Sequence, residues 1–195
     1  MTKAERTRQH IIETAAPIFN KKGVAGTTID DVLSATGLAK GCLYSHFENK
    51  EVLALETVDF LLRQIRLNGQ AALDKETTAK GKLFAYLDLR LDTQSRLFEG
   101  GCPILNFGME ADDTNAQIKQ KVKKVIQSSL KVLQDIVEKG IADKEFTKDF
   151  NGEEFAVKVF TLMEGNILVG RVLSSNHTMQ MMNRMLKKEI ESYCK

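Results

Sequence analysis

The chain has little that would cross a membrane or form disulfides. No run of about 18 apolar residues occurs among its 195 residues, and the N-terminal segment lacks the apolar centre of a signal peptide. We therefore expect a cytoplasmic protein. The three cysteines, Cys42, Cys102 and Cys194, are far apart and odd in number, which fits neither a disulfide framework nor a CxxC metal site. The sequence predicts free thiols.

Proline, period-two alternation and catalytic motifs are also scarce. Only Pro17 and Pro103 occur, and apolar residues recur at helical rather than strand spacing. The patterns GxSxG, GxxxxGK[ST] and GxGxxG after a strand are absent, so catalysis is disfavoured and no cofactor is predicted. His10, His46 and His177 are too far apart along the chain to suggest a zinc site.

The net charge is small but unevenly distributed. Residues 1–50 carry seven Lys and Arg against five acidic residues, and the remaining residues carry 21 of each. The whole formal excess of +2 therefore lies near the N-terminus. Any surface that binds phosphate is expected there.

The first predicted helix covers about residues 3–22. Its apolar residues recur on one face, and Gly23 is a stop signal. Pro17 lies inside it and removes a backbone donor, so we expect a local bend.

Two short helices follow, with very few residues between them. The first begins at Thr28, whose hydroxyl is expected to form a capping box with Asp31, and ends at Gly37. The second covers about residues 39–47, and a longer helix begins after Asn49. Helices joined by so short a turn cross steeply and pack on a third. The second of the pair then protrudes and can enter a groove about 12 Å wide, the width of the DNA major groove.

Longer helices are predicted beyond residue 70. One covers about residues 78–98 with Leu91 on its apolar face, after which EGGCP interrupts the chain. Thr114 and Gln117 are expected to cap a helix that ends at Gly140. Two further helices are expected at about residues 152–174 and 178–193.

The stretch IIETAAPIFNKKGVAGTTIDDVLSATGLAKGCLYSHFENKEVL combines an Ala-Phe-Gly helix ending, a Thr-Thr-Ile start, a Gly-Leu turn, Lys-Gly-x-Leu-Tyr-x-His-Phe and Asn-Lys-Glu-x-Leu. With this ordered pattern, residues 5–55 resemble the TetR family of bacterial transcriptional repressors. The resemblance implies an all-α homodimer of about nine helices. Its three-helix, helix-turn-helix DNA-binding domain would be residues 1–48, and residues 49–195 would form a ligand-binding and dimerisation domain.

The resemblance also implies DNA contacts for residues on or beside helices two to four: Thr28, Lys40, Gly41, Cys42, Tyr44, His46 and Lys50. Thr28 and Lys50 match phosphate contacts, and the three residues that begin helix three match base-reading positions. Tyr44 and His46 would face the backbone or base edges. Tyr44 could instead be a core ring with its hydroxyl at the surface, and His46 could be a structural partner.

The last two predicted helices have larger apolar faces than an outer layer of one domain needs. Such pairs of helices form four-helix interfaces between two chains. The residues expected at this interface are Phe155, Val159, Leu162, Ile167, Met182, Met185 and Leu186. Two-fold symmetry would then present two recognition helices to a near-palindromic operator.

The middle helices are expected to line an apolar pocket for a small hydrophobic effector. The same side chains would equally make an ordinary packed core. They are Leu62, Ile65, Leu83, Phe84, Leu87, Phe107, Met109, Val122, Ile126, Phe160 and Met163. In this hypothesis the effector favours a dimer whose reading heads are wrongly spaced, and the operator is released.

Three other interpretations compete with this one. A helical adaptor that binds only protein would explain the C-terminal helices but not the N-terminal three. Cys102 would suit a sensor thiol if a positive charge were close, but no basic residue adjoins it in the sequence. The acidic segment EADD, residues 110–113, could bind a metal, yet carboxylates at a helix start are explained by the helix dipole. The sequence therefore predicts a ligand-responsive DNA-binding regulator, in the first instance a repressor, without a metal.

Overall fold

The computed structural model describes residues 1–89 and 98–195. The chain divides into two compact units, one of residues 1–65 and 94–123 and the other of residues 66–93 and 124–195. The first unit thus includes residues 98–123, which the expected boundary at residue 48 assigns to the second domain. That boundary divides the chain by function and stays a prediction.

The expected all-α fold is confirmed over the residues described, where only an isolated bridge joins Phe146 and Cys194 and no strand forms. No helix in the described part of the chain has both the length and the apolar character of a membrane span. Leu91 lies outside the described residues. The helices in this part of the chain are α1 (Lys3–Gly26), α2 (Ile29–Thr36), α3 (Lys40–Tyr44), α4 (Lys50–Leu73), α5 (Ala79–Asp88), α6 (Pro103–Ala111), α7 (Ala116–Ala142), α8 (Gly152–Val172) and α9 (His177–Ser192).

Helix α1 is interrupted near its end at Gly23. This residue has φ +75° and ψ 172°, a conformation that glycine adopts more readily than other residues. Pro17 keeps helical backbone angles. The stop signal expected at Gly23 is therefore confirmed as a break, and one short helical turn follows it.

Local hydrogen bonds set the limits of α2 as the sequence predicted. The Thr28 hydroxyl accepts from the Asp31 amide at 3.1 Å, and the Asp31 carboxylate accepts from the Thr28 amide at 2.9 Å. Gly37 ends the helix with φ +69° and donates its amide to the Leu33 carbonyl at 2.9 Å. The capping box and the glycine turn are confirmed, and they leave only three residues between α2 and α3.

Asn115 caps α7, where the sequence analysis expected Thr114. The Asn115 side-chain oxygen accepts from the Ile118 amide at 3.0 Å, while the Thr114 hydroxyl donates back to the Glu110 carbonyl. The expected box of Thr114 and Gln117 is therefore wrong. Because Asn and Thr are both good capping residues, the sequence pattern does not distinguish neighbouring candidates.

In the first unit, α1 packs against both α2 and α6. Each of the first four helices contributes apolar side chains that are fully or almost fully buried, and Phe47, between α3 and α4, is buried as well. The buried helical residues include Ile11, Ala15, Phe19, Val32, Leu43, Leu53, Val58 and Leu61. The part of the first unit that carries α3 therefore has a core of its own.

In the second unit, α9 packs against α8 and α5. A single buried cluster includes Leu73, Leu83, Leu87, Leu133, Val137, Phe146, Phe150, Phe155, Val159, Met163, Met179, Met182, Leu186 and Ile190. Outside this cluster, α8 and α9 also carry apolar side chains that face solvent.

Candidate nucleic-acid interface

Helix α3 has one buried and one exposed face. Leu43 and the following Phe47 are buried and anchor the helix to the core of the first unit. Tyr44 is 42% exposed, so its ring is not a core ring. The core therefore holds α3 from behind and leaves its other face open.

The residues that begin α3 are small or flexible and lie at the surface. Lys40 and Gly41 are exposed, and Cys42 is half-buried. A Cβ atom at Gly41 would have no neighbour within 4 Å, so this position leaves open space beside the helix. Ala39, which precedes the helix, provides no side-chain cap. The surface of α3 can therefore approach a partner closely.

Arg8 supports this surface from behind, a role that the sequence analysis did not predict. Its guanidinium lies 4.6 Å from the centroid of the Phe47 ring and is paired with the Glu56 carboxylate. Hydrogen bonding to Glu56 raises the pKa of the Arg8 guanidinium above its ordinary value. One basic residue of the N-terminal excess thus ties α1 to α4.

Thr28 and Asp31 form a charged corner at the start of α2. Thr28 is exposed. The Lys22 ammonium lies 2.6 Å from an Asp31 carboxylate oxygen. Hydrogen bonds from Lys22 and then from Thr28 lower the pKa of Asp31 to about 2. Asp31 is therefore ionised throughout the neutral range, and the cap of α2 keeps its charge.

Lys50 has internal partners that the sequence analysis did not foresee. Its ammonium donates to the Val24 carbonyl at 3.0 Å and to the Thr27 carbonyl at 3.1 Å. An ammonium has three donors, so one N–H remains for a phosphate. His46, the last of the expected contact residues, is half-buried.

Glu110 corrects the expectation for the acidic segment 110–113. It lies in the last turn of α6 rather than at the start of a helix. Its carboxylate accepts the amide hydrogens of Val24 at 2.9 Å and Ala25 at 2.8 Å. Among the described residues, no group of three His, Cys, Asp or Glu is arranged to hold a metal ion.

None of the three cysteines forms a disulfide. Cys102 precedes α6 and is 3% exposed. A sensor thiol has to be accessible to its oxidant, which this burial prevents.

The residues expected to line an effector pocket fall in both units. In the first unit Leu62, Phe107 and Val122 are buried, and Ile65 is partly buried. Met109 is 76% exposed, so its assignment to a pocket is wrong. Residues two positions apart on a helix point in nearly opposite directions, and burial of Phe107 therefore turns Met109 outward.

In the second unit the expected pocket residues belong to a packed core. Leu83, Leu87 and Met163 lie in its buried cluster, and Phe84 packs against that cluster. Phe160 is also buried, and Ile126 is partly buried. The structure thus assigns Leu83, Leu87 and Met163 to the packed core.

The expected interface residues on α8 and α9 divide into two groups. Phe155, Val159, Met182 and Leu186 lie in the buried cluster of the second unit, so their assignment to the interface is wrong. Ile167 packs at the margin of the same cluster. Leu162 and Met185 are exposed, as an interface requires. The helices are apolar on two sides, and their periodicity alone does not show which side faces inward.

The exposed apolar surface of α8 and α9 extends beyond the predicted residues. It includes Val157, Leu162, Leu168, Val169, Val172, Leu173, Met181 and Met185. A groove of about 440 Å³ lies between the two helices, and the ion pair of Lys158 and Glu189, at 2.7 Å, borders it. An apolar face of this extent on two adjacent helices is typical of a surface that binds another protein chain.

Comparison with known proteins places two segments of the chain in family models. Residues 11–57 match the model described as bacterial regulatory proteins, tetR family, and residues 79–186 match the model described as tetracyclin repressor-like, C-terminal domain. The HTH-type transcriptional repressor DhaR of Mycobacterium sp. (strain GP1) is 22% identical over 165 residues, which are 83% of this chain and 80% of DhaR.

Two solved structures are similar over the full chain. A TetR-family transcriptional regulator from Cytophaga hutchinsonii is 37% identical with a TM-score of 0.91, and the match covers 100% of this chain and 98% of that one. A TetR transcriptional regulator from Chloroflexus aurantiacus is 33% identical with a TM-score of 0.93, with the same coverage of 100% and 98%.

Proposed function

The chain belongs to the TetR family of bacterial helix-turn-helix transcriptional regulators, and from that premise we propose that it is a homodimeric repressor which a small apolar effector releases from a near-palindromic operator. A regulator that binds bacterial DNA acts in the cytoplasm. The observation that carries the proposal is the exposed face of α3, which a buried core supports from behind.

The base-reading contacts are proposed for the exposed residues of α3. Lys40 has a flexible ammonium that can donate to the acceptors of guanine in the major groove. Gly41 and the half-buried Cys42 leave room for close approach, and Tyr44 offers an exposed ring and hydroxyl. Specificity would arise from this small set, because phosphate contacts position a protein on DNA without reading its sequence.

The phosphate contacts are proposed for residues that flank α3. The exposed Thr28 hydroxyl accepts an amide hydrogen of its own helix and can still donate its own hydrogen to a phosphate. Lys50 keeps one donor beyond its two carbonyl bonds. His46 lies between α3 and α4 in the chain and is proposed to contact the DNA backbone or a base edge.

The homodimer is proposed to form through α8 and α9. Leu162, Met181 and Met185 provide exposed apolar side chains beside the groove between these helices. Two copies related by a two-fold axis would bury these faces against each other as a four-helix interface. The same symmetry would present two copies of α3 to half-sites about 34–36 Å apart, or a multiple of that distance.

The effector is proposed from the ligand-responsive regulation typical of the family. The apolar side chains of the second unit, such as Phe84 at the margin of the core, would suit a hydrophobic or amphipathic molecule. Such a molecule weakens DNA binding only if it binds the released conformation more tightly, by about 1–3 kcal/mol in typical cases.

The test is a selection of binding sites from randomised duplex DNA with the purified protein, followed by a mass determination of free protein and complex. We expect a near-palindromic consensus bound by two chains. The DNA upstream of the protein's own coding region should compete for binding. A monomer that enriches no sequence would contradict the proposal and would favour a helical adaptor.

A further inference from the structure

The break at Gly23 separates the last turn of α1 from the rest of the helix. We call this turn and the two residues that lead to α2 the joint, residues 23–28. Amides at the start of a helical turn have no acceptor within the helix. In the joint these are the amides of Val24 and Ala25, and the Glu110 carboxylate accepts both, one with each oxygen, at 2.9 and 2.8 Å. A side chain from α6 thus takes the place of a helix cap on the joint.

The contact between Glu110 and the joint leaves no space for a side chain at position 23. A Cβ atom built on Gly23 would lie 2.8 Å from one carboxylate oxygen of Glu110, closer than such atoms approach in proteins. The φ of +75° at Gly23 would strain any other residue as well. The position of the Glu110 carboxylate therefore depends on glycine at position 23.

The carbonyl side of the joint is held from α4. Lys50 donates to the carbonyls of Val24 and Thr27, and the Thr27 hydroxyl donates to the Gly23 carbonyl at 2.6 Å. The anion of Glu110 faces amide hydrogens and the cation of Lys50 faces carbonyl oxygens, which is the favourable arrangement for both charges. The joint is therefore fixed from two helices at once.

Helix α6 is itself tied to α1 by paired amide side chains. Asn106 donates to the Asn20 carbonyl at 2.9 Å and to the Gly100 carbonyl at 3.1 Å. Asn20, which is buried, donates to the carbonyls of Glu99 and Gly101 at 3.1 and 2.9 Å. These bonds set the position of α6 along α1, and with it the position of the Glu110 carboxylate.

We propose that Glu110 is a positioning residue for DNA recognition, which sets through the joint the angle at which α2 and α3 leave α1. Thr28 at the end of the joint caps α2, and the tight turn at Gly37 connects α2 to α3. A rotation at the joint therefore moves the base-reading side chains, whose hydrogen bonds tolerate little displacement. The inference rests on the proposed DNA-binding function.

The test compares Glu110→Ala, which removes both acceptors, with Glu110→Gln, which keeps one. The control is Asp113→Asn, which removes the same charge from an exposed residue just beyond α6. Affinities for a site selected by the wild-type protein and for a scrambled duplex are measured at one salt concentration, well below the unfolding temperature of every variant.

A role of Glu110 through its charge alone and a role in positioning the joint predict opposite results for these variants. Loss of a negative charge alone would tighten binding to both duplexes, because DNA phosphates repel carboxylates. Loss of positioning lowers the ratio of specific to non-specific affinity, which we expect to fall about tenfold, or about 1.4 kcal/mol, in Glu110→Ala. Glu110→Gln should fall between Glu110→Ala and wild type, and Asp113→Asn should keep the wild-type ratio. A wild-type ratio in folded Glu110→Ala would overturn the proposal and leave Glu110 a purely structural role.

A second measurement needs no DNA. Hydrogen exchange in the free protein should show the amides of Val24 and Ala25 protected in the wild type and faster in Glu110→Ala, with the centre of α7 unchanged. Equal exchange at these two amides would refute the contact itself. If the wild-type protein selects no DNA sequence, the proposed function fails and the positioning role fails with it. If it does select a site, the affinity ratio judges Glu110 alone.

Discussion

Lys50 bonds to the protein's own backbone and is also proposed to contact DNA. The resemblance to known regulators predicted a phosphate contact, but no sequence pattern connects this residue with the carbonyls of Val24 and Thr27, which lie more than 20 residues away along the chain. Contacts of this kind depend on how helices pack, and a single sequence carries no direct record of them. Glu110 and Arg8 were missed for the same reason.

Replacement of Lys50 by Met should separate its two roles, because Met keeps most of the apolar stem. Loss of the ammonium leaves two carbonyls without their donor and should lower the free energy of unfolding by about 1–2 kcal/mol, as measured by urea denaturation. If the remaining N–H also contacts a phosphate, the slope of log affinity against log salt should fall by about one per chain. Unchanged unfolding with a reduced slope would contradict the carbonyl bonds, and the opposite result would remove Lys50 from the DNA contacts.

Asp31 makes the stability of the first unit depend on pH in the acid range. Its pKa is lowered to about 2 from an ordinary value of 3.8, so the folded state holds the carboxylate ionised to lower pH than the unfolded state does. This stabilisation is complete above the ordinary pKa and is lost as the pH falls towards 2. Wild-type protein should therefore melt at a higher temperature than Asp31→Asn at pH 6, and the difference should disappear near pH 2. A constant difference would contradict the ionised cap.

At the scale of secondary-structure elements, the sequence predicts those helix ends that are determined by interactions between neighbouring residues. The start and end of α2 were predicted correctly because the Thr28 box and Gly37 act within a few residues of one another. The end of α7 was predicted less well, since the helix continues past Gly140 to Ala142. Gly140 is buried against the Phe146 ring and Ala79, so packing rather than helix termination explains a glycine here.

Gly140→Ala should destabilise the second unit. A Cβ atom there would lie 2.7 Å from the Ala79 Cβ and closer still to the ring of Phe146. Overpacking of a core typically costs about 1–3 kcal/mol, which chemical denaturation would detect. Gly69→Ala in α4 is the matched control, because its Cβ would meet no atom within 4 Å. That variant should gain about 0.5–1 kcal/mol from better helix propensity. A stabilised Gly140→Ala would show that the core has room.

At the scale of the whole molecule, the sequence predicted the family and the helical class but not the grouping of helices. Helix α6 is separated from α1 by more than 70 residues and yet belongs to the same compact unit. The buried Asn20 pairs with Asn106 and so joins them, and neither asparagine carries a local signal of its partner. Long-range polar contacts, like the choice between two apolar faces of α8, are settled only by packing.

The assignment of the dimer to α8 and α9 can be tested with a pair of exposed methionines. Met185 on α9 is 65% exposed beside the groove, and Met109 on α6 is 76% exposed in the other unit. Met185→Glu would place a charge in the proposed interface, where burial without a partner is costly. Analytical ultracentrifugation should show the dimer dissociation constant raised about tenfold or more. The far-UV circular dichroism spectrum should be unchanged.

Operator binding should weaken in parallel, because a monomer loses the linkage that makes its second half-site contact intramolecular. Met109→Glu adds the same charge to the first unit and should leave the dimer intact. If both variants remain dimers at nanomolar concentration and bind the operator as the wild type does, the two copies meet through another surface. The exposed face of α8 and α9 would then need a different partner.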